Sequence, residues 1–197
     1  MSSEHWGPGI PDEDFMREPG VPMTKNEIRV LSLARLRLFP GAVLYDIGAG
    51  TGSVAIEVKQ LFPSCSVYAI ERDPRALSLL KRNCDKFGVE LFLVEGAAPA
   101  DLAGLPAADR IFIGGSGGDL PAIIRQADDK LKPGGRMVLN SVTLHSGPEG
   151  WQTLEELGYS LDAMQANIAV TVRKGRAILW QARNPVTIIS GQKGERA

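Results

Sequence analysis

Histidine and cysteine are scarce in this chain. Its 197 residues hold two of each: His5, His145, Cys65 and Cys84. Two histidines leave no room for a His-rich metal site, and the cysteines form no CxxC or zinc-like cluster, so no metal is expected. One conceivable cysteine pair is a weak argument for a disulfide, and the expected compartment is the cytoplasm. An excess of charge is missing too. Lys and Arg number 22 against 23 Asp and Glu, a formal net charge of -1, which gives no general attraction to nucleic acid or an anionic membrane. Aromatic residues make up 6%, too few to supply the stacking platforms of a nucleic-acid enzyme. No apolar run approaches the ~20 residues that span a bilayer, and Met1–Phe15 carries Pro, Asp, Glu and His where a signal peptide needs an apolar core. What is present, 44% hydrophobic and 23% charged residues, is the composition of an ordinary globular protein of one domain.

Residues 1–20 are rich in Pro, Gly and acids without period, and read as an extended arm before a single domain over 21–191 and a disordered tail at 192–197. Thr24 with Glu27 three residues on resembles a capping box, opening a helix that Pro40-Gly41 closes. From there apolar runs alternate with helical spacing. Strands are expected at Val43–Ile47, Val67–Ile70, Leu91–Val94, Ile111–Ile113 and Met137–Leu139, and helices at Ser53–Leu61, Asp73–Phe87, Asp119–Leu131 and Glu149–Leu157. Asp73-Pro74 places a cap before a proline at the first helical position. The remainder, Ser160–Val172 and Ala177–Ile189, reads as two strands about a Lys174-Gly175 turn. The fold class is therefore α/β: a mostly parallel, doubly wound seven-stranded sheet with an antiparallel element at one edge.

Ligands of such sheets bind at the carboxyl ends of the strands. There, after the first strand, lies Asp46-Ile47-Gly48-Ala49-Gly50-Thr51-Gly52, whose glycines let the backbone turn tightly, with the amides of the following helix expected free. A dinucleotide loop would need its third glycine where Ser53 stands, which makes a nicotinamide oxidoreductase the weakest reading. The second strand ends in Glu71, placed to accept both hydroxyls of a ribose.

This block resembles the first two motifs of the Rossmann-like class I S-adenosylmethionine-dependent methyltransferases, and Gly96-Ala97-Ala98-Pro99 and Leu131-Lys132-Pro133-Gly134-Gly135 agree with later ones. The superfamily commonly has an acidic adenine contact where Ala97 stands, leaving that contact to backbone groups of Ala97 and Ala98. After the fourth strand, where nitrogen methylases carry an Asp/Asn-Pro-Pro-aromatic box, this chain has Gly114-Gly115-Ser116-Gly117-Gly118. So bare a loop suits a large flat acceptor whose nucleophilic atom is a carbon.

Ile10–Phe15, Val21–Arg29, the GGSGG loop and Arg183-Asn184-Pro185-Val186 together resemble the CbiT-type family of decarboxylating, carbon-15 cobalt-precorrin methyltransferases, over about residues 9–191. The resemblance implies S-adenosylmethionine as cofactor, held by Thr24, by Gly48, Ala49, Gly50, Thr51 and Gly52, by Glu71 and by Ala97 and Ala98. It implies a tetrapyrrole substrate lying on Gly114–Gly118. It also implies a homotetramer built through the C-terminal strands and the arm, and the separate carbon-5 precorrin methylase as a partner. A substrate with many carboxylates calls for cations. The candidates are Arg29, Arg173, Arg176 and Arg183, with Lys25 and Lys174, of which at least two should line the opening above Gly114–Gly118. No residue stands out as an acid or base; His145, Asn140 and Thr143, near the end of the fifth strand, are the catalytic candidates. Two other readings stay open: a class I methyltransferase acting on transfer RNA or protein, and a non-catalytic nucleoside-binding subunit.

Overall fold

The computed structural model describes residues 7–195. The alternation expected from the sequence is present: α1 (Asn26–Leu36), β1 (Val43–Ile47), α2 (Ser53–Leu61), β2 (Ser66–Glu71), α3 (Pro74–Phe87), β3 (Phe92–Glu95), β4 (Ala108–Ile113), α4 (Leu120–Lys130), β5 (Leu131–Ser141) and α5 (Ser146–Glu156). Four strands follow: β6 (Ser160–Ala166), β7 (Ala169–Lys174), β8 (Ala177–Ala182) and β9 (Val186–Gln192). The main sheet has seven strands in the order β3-β2-β1-β4-β5-β9-β6. β1 to β5 run parallel, and β9 is antiparallel to both its neighbours. The antiparallel strand thus lies one place in from the edge, with β6 outside it.

Strand alternation divides the core into two layers. Leu44, Phe112 and Val138 meet α1 to α3 through Leu33, Ile56 and Leu80. Tyr45, Ile111 and Met137 on the other face meet α4 and α5 through Ile124 and Leu154. Asp73 caps α3 as its sequence suggests, accepting from Arg75 N at 2.9 Å.

Five expectations need correction. The last two expected strands are four, because Pro185, which has no N–H to give a ladder, and Asn167-Ile168 interrupt them. β7 and β8 pair only with each other, as a separate hairpin. Residues 7–20, expected as an extended arm, are packed onto the domain. Ile10 and Phe15 are buried in the core, and Asn83 both donates to Met16 O and accepts from Met16 N. Thr24 does not cap α1. Lys25 holds the cap position, and the Thr24 carbonyl accepts from Arg29 and from Ser53 Oγ. Lastly, Gln192 belongs to β9, and Lys193 is pinned through its amide to Gly135 O and its ammonium to Asp128, so order extends past residue 191. Residues 196 and 197 of the expected tail, and 1–6 of the arm, lie outside the described residues. Among the described residues no helix is long and apolar enough to cross a membrane.

Candidate active site

The tips of β1, β2, β3 and β4 enclose a cleft of about 320 Å³. Its floor is the glycine loop after β1. Gly48, Gly50 and Gly52 all have positive φ (74°, 55° and 79°), a region that side chains disfavour. A Cβ on Gly48 would meet Gly115 O at 2.7 Å, and one on Gly50 would meet Pro22 O at 2.5 Å. The loop is therefore clasped between the segment before α1 and the loop after β4.

Of the helix amides expected free, that of Ala55 is spent on Asp46 Oδ2, and the loop's own amides are spent as well. Gly48 N and Ala49 N donate to Ile70 O, Thr51 N to Pro22 O and Gly52 N to Ala49 O. Gly50 N donates to Glu71 Oε2 at 2.8 Å. Five successive donors are spent within the protein, which leaves the loop poor ground for a pyrophosphate. Thr51 Oγ1, by contrast, is buried with no hydrogen-bond partner among the described residues. Beneath the loop Asp46 is fully buried and accepts from Ala55 N at 3.1 Å. Burial pushes its carboxyl up to about 7; the Ala55 amide opposes that shift, and the nearby Glu71 charge adds to it.

Glu71 sits where the sequence places it, on the cleft wall. Its Oε1 accepts from Arg72 N and Asp73 N, both at 2.9 Å, in addition to the Gly50 bond at Oε2. A carboxylate offers about four acceptor sites, so roughly one remains, for two vicinal hydroxyls to share. Ala97 and Ala98 also line the cleft, but Ala97 N donates to Asp101 Oδ2 at 2.7 Å and is not available to a ligand.

A second cleft, of about 530 Å³, adjoins the first at Pro22 and Gly114. Thr24, Lys25, Asn140 and Arg183 line it. Here the expected roles shift. Thr24 lines this second space alone, while Pro22, to which the sequence assigned no role, lines both. Gly114 borders both clefts; Gly115, Ser116 and Gly117 line the first alone, so most of the GGSGG loop walls the first cleft, and Gly118 lines neither. Ala49, Thr51 and Gly52, though part of the glycine loop, are buried and lie in neither lining.

The basic candidates divide in the same way. Lys25 and Arg183 line the second cleft, which borders the GGSGG loop at Gly114 alone. Each is partly neutralised, Lys25 by Asp12 at 3.6 Å and Arg183 by Glu27. Arg173, Lys174 and Arg176 are exposed around the β7–β8 hairpin and line neither cleft. Arg29 is fully buried and holds no substrate: its guanidinium is consumed by Glu57, Asp12, Ile10 O and Thr24 O.

Of the catalytic candidates, Asn140 alone reaches a cleft described above, its amide donating to Ser32 Oγ at 3.0 Å. His145 is exposed beside the start of α5 and outside both clefts. Thr143 belongs to a hydroxyl cluster with Ser141 and Ser146, facing a separate groove with Trp151. The sequence missed Arg72, which lines the first cleft. Its place directly after Glu71 was the available signal.

Comparison with known proteins agrees with this geometry. The family model described as precorrin methyltransferase domain matches residues 15–193. A relative from Pyrobaculum calidifontis named probable cobalt-precorrin-6B C(15)-methyltransferase (decarboxylating) is 48% identical over 186 residues, covering 93% of this chain and 95% of its own. The Salmonella typhimurium protein named cobalt-precorrin-6B C(15)-methyltransferase (decarboxylating) is 40% identical over 93% of this chain and 96% of its own. The crystal structure of precorrin-6y C5,15-methyltransferase from Geobacter metallireducens superposes with a TM-score of 0.88 at 41% identity, covering 94% of this chain and 96% of that one. A tRNA (m1A58) methyltransferase from Aquifex aeolicus, 12% identical with a TM-score of 0.74 over 92% of this chain and 73% of that one, shares the fold alone. Loop, acid and clefts thus stand in a chain whose likeness to these proteins runs nearly end to end, and it belongs to the precorrin methyltransferase family.

Proposed function

We propose that this chain methylates carbon 15 of cobalt-precorrin-6B and removes carbon dioxide from an acetate side chain of that substrate, in cobalamin biosynthesis, with S-adenosylmethionine as donor. The observation that carries the donor assignment is the glycine loop with its amides spent: Gly48 to Gly52 all donate within the protein, and Glu71 stands at the rim. A site without free donors suits a cationic sulfonium nucleoside and disfavours a dinucleotide.

When bound, the donor supplies a methyl group already activated by its sulfonium, which needs alignment more than further activation. The protein's part is then placement, which is worth up to ~7–11 kcal/mol in well-oriented reactions. Gly114, bare of side chain at the junction of the two clefts, lets a flat acceptor approach the donor side closely. Lys25 and Arg183 offer the second cleft positive charge for peripheral carboxylates. Asn140, held by Ser32, presents a fixed amide to the same space. No base is required of the chain at the methylated carbon. Loss of carbon dioxide returns an electron pair to the macrocycle, which absorbs it through conjugation. The homotetramer belongs to this proposal as well, supported by the apolar exposure of Ile178, Leu179 and Trp180 on the unpaired hairpin.

The test is incubation with methyl-labelled donor and cobalt-precorrin-6B, following methyl incorporation and carbon dioxide release together. Equal amounts of both are expected. A product that gains the label and keeps its acetate removes the decarboxylating assignment.

A further inference from the structure

Asn140 stands at the inner end of the second cleft. It follows Leu139, which pairs with Ile113 across β5 and β4, and Gly114 follows Ile113. Asn140 and Gly114 are therefore neighbours at the tips of adjacent parallel strands, where the two clefts meet. The amide of Asn140 is anchored from α1. Ser32, fully buried, spends its hydroxyl proton on Ile28 O at 2.7 Å and so accepts from Asn140 Nδ2 at 3.0 Å. One N–H of the amide is thereby fixed, and the other has no partner among the described residues.

The cations lie at the outer end. Lys25 precedes the first turn of α1, and Arg183 pairs with Glu27 inside that turn. From Lys25 to Ser32 the helix rises about 10 Å, at ~1.5 Å per residue. Ile28 lies between them on α1, and Val142 and Val186 add apolar surface to the same lining. Among the described residues Lys25 and Arg183 are the only cations that border this cleft.

The two ends treat a carboxylate differently. Beside a cation its charged form is stabilised, and that stabilisation is lost as carbon dioxide departs and the charge moves into the ring system. Against apolar surface the charge is costly to hold, so its departure is favoured. One amide N–H is enough to orient such a carboxylate without holding it back as a cation does.

We propose that Asn140 selects the carboxylate that is lost. Its uncommitted N–H orients the acetate lying at the Gly114 end, while Lys25 and Arg183 retain the carboxylates at the outer end. The bond between the acetate methylene and the carboxyl carbon breaks, carbon dioxide leaves, and the electron pair enters the conjugated macrocycle. One pair thus enters the macrocycle and one leaves it in the new carbon–methyl bond, so the two halves balance without a net proton. The inference rests on the reading of the second cleft as the tetrapyrrole site.

The test is steady-state kinetics of the full-length protein with S-adenosylmethionine and cobalt-precorrin-6B, following carbon dioxide release in wild type, Asn140→Ala, Asn140→Lys and Arg183→Met. Asn140→Ala is expected to lower kcat roughly 10- to 100-fold, the effect of a misplaced reacting group, and to change KM less. Asn140→Lys sets a cation at the inner end and is expected to lower KM and kcat together, the pattern of a ground state held too tightly. Arg183→Met is expected to act mainly on KM, raising it. Ser32→Ala frees the amide without adding bulk or charge; a smaller fall in kcat is expected, and it stands in for the lysine variant should that protein not fold. Unfolding midpoint and affinity for S-adenosylhomocysteine, read on the same samples, should match wild type for Asn140→Ala. A wild-type kcat in Asn140→Ala, a wild-type kcat in Asn140→Lys, or a loss in Asn140→Ala that follows lost donor affinity or a damaged fold each overturns the proposal. A wild type that neither takes up methyl nor releases carbon dioxide would instead overturn the proposed function.

Discussion

Gly50 lies so close under Pro22 that a Cβ added to it would stand 2.5 Å from the Pro22 carbonyl oxygen. Both residues line the first cleft, and the same carbonyl accepts from Thr51 N. The segment before α1 is therefore part of the floor of the site. Gly50→Ala combines a left-handed φ of 55° with a backbone collision that no rotamer relieves. It is expected to cost about 1–3 kcal/mol of stability and to reduce affinity for S-adenosylhomocysteine. Gly41→Ala is the control: its φ is 81°, but nothing lies within 4 Å of the added Cβ. That variant should lose stability through strain alone and keep wild-type binding. Thermal unfolding and calorimetry on the pair check both statements.

Arg29 carries a second prediction. Its side chain has no exposed surface, and Glu57, to which it is paired, has almost none. Glu57 also accepts from Gly9 N and Ile10 N, so the pair pins the amino-terminal segment onto α2. Removing one partner of a buried pair leaves an uncompensated charge, and Arg29→Met should cost about 3–5 kcal/mol in urea unfolding. Arg35→Met, which breaks the solvent-exposed pair with Asp162, should cost no more than about 1 kcal/mol. The double variant Arg29→Met/Glu57→Leu should recover part of the loss, because the stranded Glu57 charge is gone although the Gly9 and Ile10 amides lose their acceptor. A single-variant cost no greater than that of Arg35→Met would contradict this account.

These residues also show what the sequence made legible. The strand–glycine-loop–helix unit and the Asp73-Pro74 cap rest on neighbours within a few positions, and they stand where the spacing placed them. Arg29 misled because its partners are remote. Glu57 is 28 residues away and Ile10 is 19, and nothing in a helical stripe distinguishes a buried arginine from a surface one. Pro22 was invisible because it acts through a carbonyl, which every residue has. The acceptors of the loop amides were hidden for a related reason: Ile70 O and Pro22 O are backbone atoms brought near by the sheet and the segment before α1. The division of the final strands escaped notice because β-period continues through both halves. Only the pairing partner changes, and pairing is a long-range choice.

Asp46 provides a pH dependence with a definite sign. In the fold its carboxyl is pushed up to about 7, mainly by burial, whereas in the unfolded chain it titrates near the ordinary value of about 3.9. The folded state therefore holds a proton that the unfolded state releases across this window. Its stabilising contribution is complete below pH ~4 and is lost as pH rises through ~7. Asp46→Asn retains an oxygen for the Ala55 amide and cannot ionise. The variant should gain on wild type from pH ~4 to pH ~7 and level off above that, each 1 kcal/mol of difference showing as about 2–4 °C in unfolding midpoint. Parallel midpoint curves for the two proteins across that range would show that Asp46 is not the titrating group.

The β7–β8 hairpin yields a prediction about assembly. It pairs with no other strand, and β8 is exposed along its whole length, with Trp180 at 76% and Ile178 at 61%. An apolar strand whose outer edge has no partner is a template for another chain, and natural proteins cover or charge such edges unless they use them. The hairpin's sequence places Arg173, Lys174 and Arg176 at or beside its turn and leaves β8 itself uncharged. Charge thus guards the tip and not the face. Ile178→Ser/Trp180→Ser should lower the solution mass measured by light scattering from that of a tetramer toward that of a single chain. Neither residue lines the first cleft, the proposed donor site, so affinity for S-adenosylhomocysteine should persist. The second cleft is bordered by Gln181, Ala182 and Arg183 at the foot of the same hairpin, so dissociation should raise the KM for the tetrapyrrole. A wild-type protein already monomeric, or a double variant of unchanged mass, would remove the hairpin from any role in assembly.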